Sequence, residues 1–212
     1  MSEKLVVIGS GGHARSVIDS ALDCGRYDVI GVLSSDESDW VPYRGVECIG
    51  ADFDAPSVYA QGCHAAALGI GFMGGSTQLR ENLCKKYASI GYSFPPIIDP
   101  SALVSTGSTI GEGAFIGKRA VLNAKSHVGS FSIINSTSLV EHDCSVGAFT
   151  HVAVGAVLCG GVRVGRGVLV GANATVIQGL EIHDCAIVGA ASLVLRDVPA
   201  GARALGIYNG EE

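Results

Sequence analysis

Two architectures are predicted in one chain: an α/β unit with a parallel sheet over residues 1–95, then a coil of six-residue repeats over 96–212. Three observations predict them. An aliphatic residue recurs at every sixth position from Ile98 through Val104, Ile110, Ile116 and Leu122 to Val188 and Val194, with no polar member and no insertion. A glycine often follows that aliphatic, and the sixth residue of each repeat is usually small. Ahead of the repeats, a short apolar run, a glycine turn and an amphipathic stretch follow one another directly, and the texture changes at Pro95-Pro96.

Leu5-Val6-Val7-Ile8 reads as a buried strand, because a continuous apolar run this short suits a strand covered on both faces. Gly9-Ser10-Gly11-Gly12-His13-Ala14 comes next, and Val17, Ile18, Ala21 and Leu22 then share one face of a helix over 14–24. Strand, glycine turn and helix begin a βαβ unit. The alternation continues with strands at 29–33 and 65–70, a helix over 77–88 and an extended piece ending at Pro95-Pro96. This is a half-Rossmann-like domain, half of a dinucleotide-binding fold. The glycine turn has two readings. As a cradle, its backbone N–H groups and the helix start would hold a nucleotide's phosphates; as packing, its glycines would only let strand and helix approach. Gly9, Gly11 and Ala14 fit G-x-G-x-x-G/A, yet no acid stands where an adenosine ribose would be bound, since Asp28 precedes the second strand and Asp36 lies beyond Ser34-Ser35.

A period of six is neither the 3.6 of a helix nor the two of a strand, so it marks a repeat architecture. Each repeat reads as one flat side of a prism: an inward aliphatic, a glycine where the chain turns (Gly111, Gly117, Gly129, Gly147, Gly165, Gly171, Gly189) and a small residue beside the turn. Three sides, about eighteen residues, close one coil, and stacked coils bury the ladder and pair their backbones. The pattern resembles the hexapeptide-repeat acyltransferases. That resemblance implies a left-handed parallel β-helix, assembled as a homotrimer with active sites in the clefts between prisms.

Composition narrows the function classes. The net charge is −6 and the basic residues are scattered apart from Lys85-Lys86, which argues against nucleic acid as a partner. No apolar run reaches eighteen residues, so neither a transmembrane helix nor a secretory leader is expected, and no membrane partner. Seven cysteines without a C-x-x-C pair suit free thiols in a cytoplasmic protein.

Between Asn135 and Gly161 the ladder persists while its other positions turn polar: Asn135, Glu141-His142-Asp143-Cys144, His151, then Gly160-Gly161. Eighteen residues separate His142 from Gly160, so the two should lie one coil apart, about 4.8 Å by the usual strand spacing. A histidine with an acid beside it, next to an uncovered backbone N–H, has the parts for acyl transfer. His142 can take a proton from an attacking amine or hydroxyl, Asp143 can fix its tautomer, and the Gly160 N–H can receive a tetrahedral oxyanion. The alternative is a surface histidine on a turn. A zinc site of His127, His142 and His151, as in the hexapeptide-repeat carbonic anhydrases, is disfavoured because their offsets place them at different points around the coil, and no metal is expected. Cys144 takes a small inward position and reads as core.

Val7-Ile8-Gly9-Ser10-Gly11-Gly12-His13-Ala14, Ile97-Ile98-Asp99-Pro100-Ser101-Ala102, Ile134-Asn135, Leu139 to Cys144 and His151 to Ala156 together resemble the bacterial sugar acetyltransferases. That family includes the sialic acid O-acetyltransferases and the N-acetyltransferases of UDP-linked 4-amino sugars. The resemblance implies His142 as general base supported by Asp143, His151 beside the acetyl-CoA thioester, and Asn135 near the substrate. It implies Gly160 as oxyanion donor, with Gly171, Ala172 and Ala190 lining the CoA groove. Gly9, Gly11, Gly12 and His13 would bind the sugar or its nucleotide, so residues 1–95 would be the sugar- or nucleotide-binding domain and 96–212 the acetyltransferase domain. The chain departs from the family at Leu33-Ser34-Ser35-Asp36, where paired acids are frequent. It departs again at Gly69-Ile70-Gly71-Phe72, where Gly-Asn is frequent, and at a C-terminus lacking G-x-P-A.

The expected activity is acetyl-CoA-dependent N-acetylation of a nucleotide-linked 4-amino sugar for a bacterial surface glycan. O-acetylation of sialic acid is the alternative within the class. A non-catalytic trimeric scaffold or nucleotide-binding protein, and a dinucleotide-dependent oxidoreductase, are the alternatives outside it.

Overall fold

The computed structural model describes residues 2–35 and 40–210. Two compact units result: residues up to Gly71 with Gln78–Pro100 form one, and Phe72–Thr77 with the residues from Ser101 onward form the other.

The first unit is a four-stranded parallel sheet with helices. Its elements are β1 (Glu3–Ile8), α1 (Gly12–Asp23), β2 (Tyr27–Leu33), β3 (Cys48–Gly50), α2 (Ala55–Ala60), β4 (Ala65–Leu68) and α3 (Gln78–Ile90). The strand order is β3-β2-β1-β4. Leu5, Val6, Val7 and Ile8 are buried because helices cover the sheet, and Ala14, Val17, Ile18 and Ala21 of α1 bury one face at helical spacing. Ser20, itself buried, donates to the buried Asp99 at 2.7 Å, which gives the Asp-Pro motif a structural task. The strand expected over 65–70 stops at Leu68, leaving Gly69 and Ile70 in the loop, and β3 and α2 are elements beyond those expected from the sequence. Asp36 lies outside the described residues.

The second unit is the left-handed parallel β-helix. Its strands are two residues long, from Leu103–Val104 to Ile207–Tyr208, and form three parallel sheets, one per side of the prism. His127 pairs with Ser145, Ile133 with His151 and Leu139 with Val157, the offset of eighteen that closes each coil. From Ile116 to Val194 every aliphatic of the ladder is buried. Ser132, Ser138 and Thr150 are buried beside them and donate to carbonyls of Gly147, Asn135 and Gly165, so these three polar sixth residues cost no unmet hydrogen bond. At the C-terminal end Ile187 pairs with Arg203 and Leu193 with Ile207, so the last coil is contracted.

The role of the recurring glycines differs from the expected one. None of Gly111, Gly117, Gly129, Gly147, Gly165, Gly171 and Gly189 has a positive φ; the left-handed residue of each turn comes two positions later. That position holds Gly113, Gly155, Gly161, Gly167 and Gly179, but also Arg119, Lys125, Phe131, Thr137, Asp143, Phe149, Asn173, Cys185 and Ala191, with φ of 56–59° in these nine. The recurring glycine answers to space instead. A Cβ at Gly111, Gly129, Gly147 or Gly171 would lie 2.5–2.6 Å from backbone of the next coil.

This distinction predicts opposite outcomes for two substitutions. Gly129→Ala, at an ordinary φ, should destabilise the fold by about 1–3 kcal/mol through overpacking. Lys125→Gly removes the cost of a left-handed non-glycine residue, about 1 kcal/mol, offset by glycine's extra chain entropy, and should be near neutral. Urea unfolding of both variants checks the pair.

Candidate active site

The candidate residues fall in three places. At the end of β1, Gly9 has φ +97°, and a Cβ there would stand 2.6 Å from the Ile70 side chain, so this position requires glycine. Gly11 is the N-cap of α1 and Gly12 its first residue. A Cβ on either would meet nothing within 4 Å, so close packing does not account for them; it accounts for Gly69, whose Cβ would lie 2.8 Å from that of Ala14. The space before the helix start is therefore open, and its N–H groups face that space. His13 follows in the first turn, near Gly71.

The second place is a corner of the prism. His142 and Asp143 occupy the turn after Leu139–Val140, with Asp143 in the left-handed position at φ 59°. The His142 Nδ1–H donates to Asp143 Oδ2 at 2.8 Å, which leaves Nε2 as the proton acceptor. The two side chains are 60% and 58% exposed, so the pair adds little to stability. One coil on, Gly160 lies under the ring: a Cβ there would be 2.7 Å from Nε2. The Gly161 N–H donates to the His142 carbonyl at 2.9 Å and fixes the register.

In some of these turns a side chain caps the amide one residue before the left-handed position. Asn123 Oδ1 accepts from Ala124 N–H, Asn135 Oδ1 from Ser136 N–H, and Glu141 Oε2 from His142 N–H, at 2.7–3.0 Å. Gly160 follows Cys159, which offers no such acceptor, and among the described residues its N–H has no partner. An uncapped donor beside a basic nitrogen can stabilise an oxyanion. Glu141 Oε2 also accepts from Asn123 Nδ2 at 2.9 Å, which steadies the turn carrying His142. The spacing of eighteen between Asn123 and Glu141 is the signal in the sequence for this contact.

The third place is a cavity of about 450 Å³ on another part of the prism, lined by Asn135, His151, Gly171, Ala172 and Ala190. The buried His151 donates from Nδ1 to the Phe72 carbonyl at 2.5 Å, and its Nε2 accepts from Asn135 Nδ2 at 3.1 Å. Both ring nitrogens are thus engaged, and the tautomer is set by those partners. Leu169, Ile187, Val154 and Met73 add apolar wall. Met73 belongs to the excursion Phe72–Thr77, which returns to the prism from within the N-terminal half of the sequence; only the glycine density of Gly69, Gly71, Gly74 and Gly75 marks it.

Within one chain the second and third places stay apart. His142 and His151 are nine residues apart, half a coil, so they sit on different sides of the prism. Gly160 lies with His142 and does not line the cavity. His127, the third histidine of the zinc alternative, is held by Thr109 Oγ1 at 2.7 Å, and among the described residues no three His, Cys, Asp or Glu side chains converge on a metal position. Cys144 is buried, and none of the seven cysteines forms a disulfide. No helix among the described residues is long and apolar enough to cross a membrane.

Residues 4–87 match the PglD N-terminal domain family. The whole chain is similar to a histidine-to-alanine variant of GDP-perosamine N-acetyltransferase from Caulobacter crescentus, solved with CoA and GDP-perosamine: 35% identity, TM-score 0.88, 96% of this chain and 93% of that one. It is similar also to the acetyltransferase domain of PglB from Neisseria gonorrhoeae in complex with acetyl coenzyme A, at 29% identity and TM-score 0.88 over 97% of both chains. WeeI from Acinetobacter baumannii shares the fold at 17% identity and TM-score 0.65, over 97% of both chains. With the strand, glycine turn and helix of the first unit joined to a left-handed prism that carries the His142–Asp143 pair over Gly160, the chain belongs to the bacterial sugar acetyltransferases that include GDP-perosamine N-acetyltransferase.

Proposed function

We propose that this chain transfers the acetyl group of acetyl-CoA to the 4-amino group of a nucleotide-linked amino sugar, a precursor of a bacterial surface glycan made in the cytoplasm. The observation that carries the reading is the His142 imidazole, tied to Asp143 at 2.8 Å and resting on Gly160. His142 Nε2 accepts the proton of the amine as its nitrogen attacks the thioester carbonyl. The Gly160 N–H takes the negative oxygen, and His142 returns the proton to the departing thiolate sulfur of CoA. Asp143 stabilises the imidazolium in between.

The cavity beside His151 fits the pantetheine arm of acetyl-CoA. Its walls are aliphatic, and Gly171, Ala172 and Ala190 keep it narrow and free of bulky side chains. Gly9, Gly11, Gly12 and His13 would hold the nucleotide's phosphates, in the open space before α1. Because His142 and the cavity sit half a coil apart, a complete site takes the corner of one prism and the cavity face of another. Three copies around an axis would form three such sites, in keeping with the resemblance to trimeric hexapeptide-repeat enzymes.

His142→Ala should lower kcat by about 10²–10⁴-fold with the fold retained. Gly160→Ala should do so nearly as strongly, because the added methyl displaces the imidazole. Mass spectrometry of reactions with acetyl-CoA and nucleotide-linked 4-amino sugars checks both. Transfer at full rate by His142→Ala would overturn the mechanism, and transfer only to the hydroxyls of sialic acid would overturn the amine acceptor.

Ala190→Leu should fill the cavity and raise KM for acetyl-CoA by about ten- to a hundredfold, the equivalent of the 1–3 kcal/mol typical of overpacking. Nucleotide affinity should stay unchanged in the same variant, as calorimetry would measure.

A further inference from the structure

The excursion Phe72–Thr77 interrupts the first unit in sequence but belongs to the same compact unit as the prism. His151, Leu169 and Ile187 stand one coil apart on one sheet, and the excursion lies along that row as a strap. Its Phe72 carbonyl accepts from His151 Nδ1 at 2.5 Å. Gly74 has φ +87°, and a Cβ there would lie 3.1 Å from Ile187 and 3.3 Å from Leu169, so the strap backbone rests on those side chains. A Cβ on Gly167 would lie 3.1 Å from Thr77 Cγ2, which places Thr77 at the turn before the Leu169 strand. Ala172 belongs to the turn after that strand. The strap therefore stands on one side of the row, and the turn column Val154, Ala172 and Ala190 on the other. The cavity of about 450 Å³ is a groove along the prism, and the strap is one of its banks.

Met73 is the strap residue that lines the groove, and it is 83% exposed. Its backbone is fixed on both sides, by the Phe72 hydrogen bond and the Gly74 contact, while the unbranched thioether side chain stays free to turn. A large apolar group left in water at the edge of an apolar groove gains free energy when an apolar ligand covers it. His151 gives its Nδ1–H to Phe72 and accepts from Asn135 at Nε2. With both ring nitrogens engaged, it ties the strap to the prism rather than donating a proton to a thioester. We propose that Met73 is a donor-binding residue that folds over the acyl-pantetheine arm of acetyl-CoA, and that His151 is the positioning residue that holds it there through Phe72. Without the strap, one side of the groove would be open to water.

This inference rests on the acetyl-CoA reading of the cavity, and the experiment separates the two. The sequence holds two methionines, Met1 and Met73, so isotope labelling of methionine methyl groups gives the full chain two NMR signals. The one missing from Met73→Leu belongs to Met73. Acetyl-CoA is titrated in while the signals are followed, with binding measured in parallel by calorimetry. The Met73 signal should shift in step with binding. In His151→Ala, checked by thermal melting, it should sit near the position of a free side chain and move little at saturation. Met73→Ala should melt as the wild type does and raise the Kd for acetyl-CoA by about five- to thirtyfold, the scale of losing part of a buried methionine. Met73→Leu, similar in volume, should stay within about threefold of the wild type. A Met73 signal that stays still at saturation, or an unchanged Kd in Met73→Ala, overturns the proposal, and acetyl-CoA binding by the wild type then leaves the transferase reading standing. A wild-type response of Met73 in folded His151→Ala overturns the positioning role. Failure of the wild type to bind acetyl-CoA overturns both readings.

Discussion

Closure of the coil in eighteen residues is the constraint on which the prism depends. Once the backbone of Ile133 pairs with that of His151 and Leu139 with Val157, each strand residue up to the contracted last coil has a fixed neighbour eighteen positions away, about 4.8 Å distant. The prism interior is filled by the aliphatic ladder and the small residues beside it. Chemistry is therefore confined to turns and outer faces, and is assembled by choosing residues one coil apart. Gly160 under His142, and Asn123 against Glu141, are two uses of that rule.

The same constraint explains why the His142–Asp143 pair is exposed. A turn residue of a prism points away from the core, so His142 and Asp143 remain open to solvent in one chain even though their mutual geometry is set. An oxyanion donor is worth far more in a water-excluded site than on a wet surface. The cavity beside His151 lies half a coil away on the same prism, so the corner and the cavity stay apart within one chain.

Much of this was legible in the sequence, and the reasons are local. The ladder survives any context because each aliphatic sees the same interior, and the offset of eighteen placed Gly160 beneath His142 without a structure. The role of the recurring glycines was not legible, because a glycine needed for a positive φ and one needed for close approach look alike in a sequence. Phe72–Thr77 was missed because it has no period and meets the prism across a long separation. The short β3 and α2 had signals too weak for strand periodicity, although Asp54-Ala55-Pro56 is a helix-start pattern.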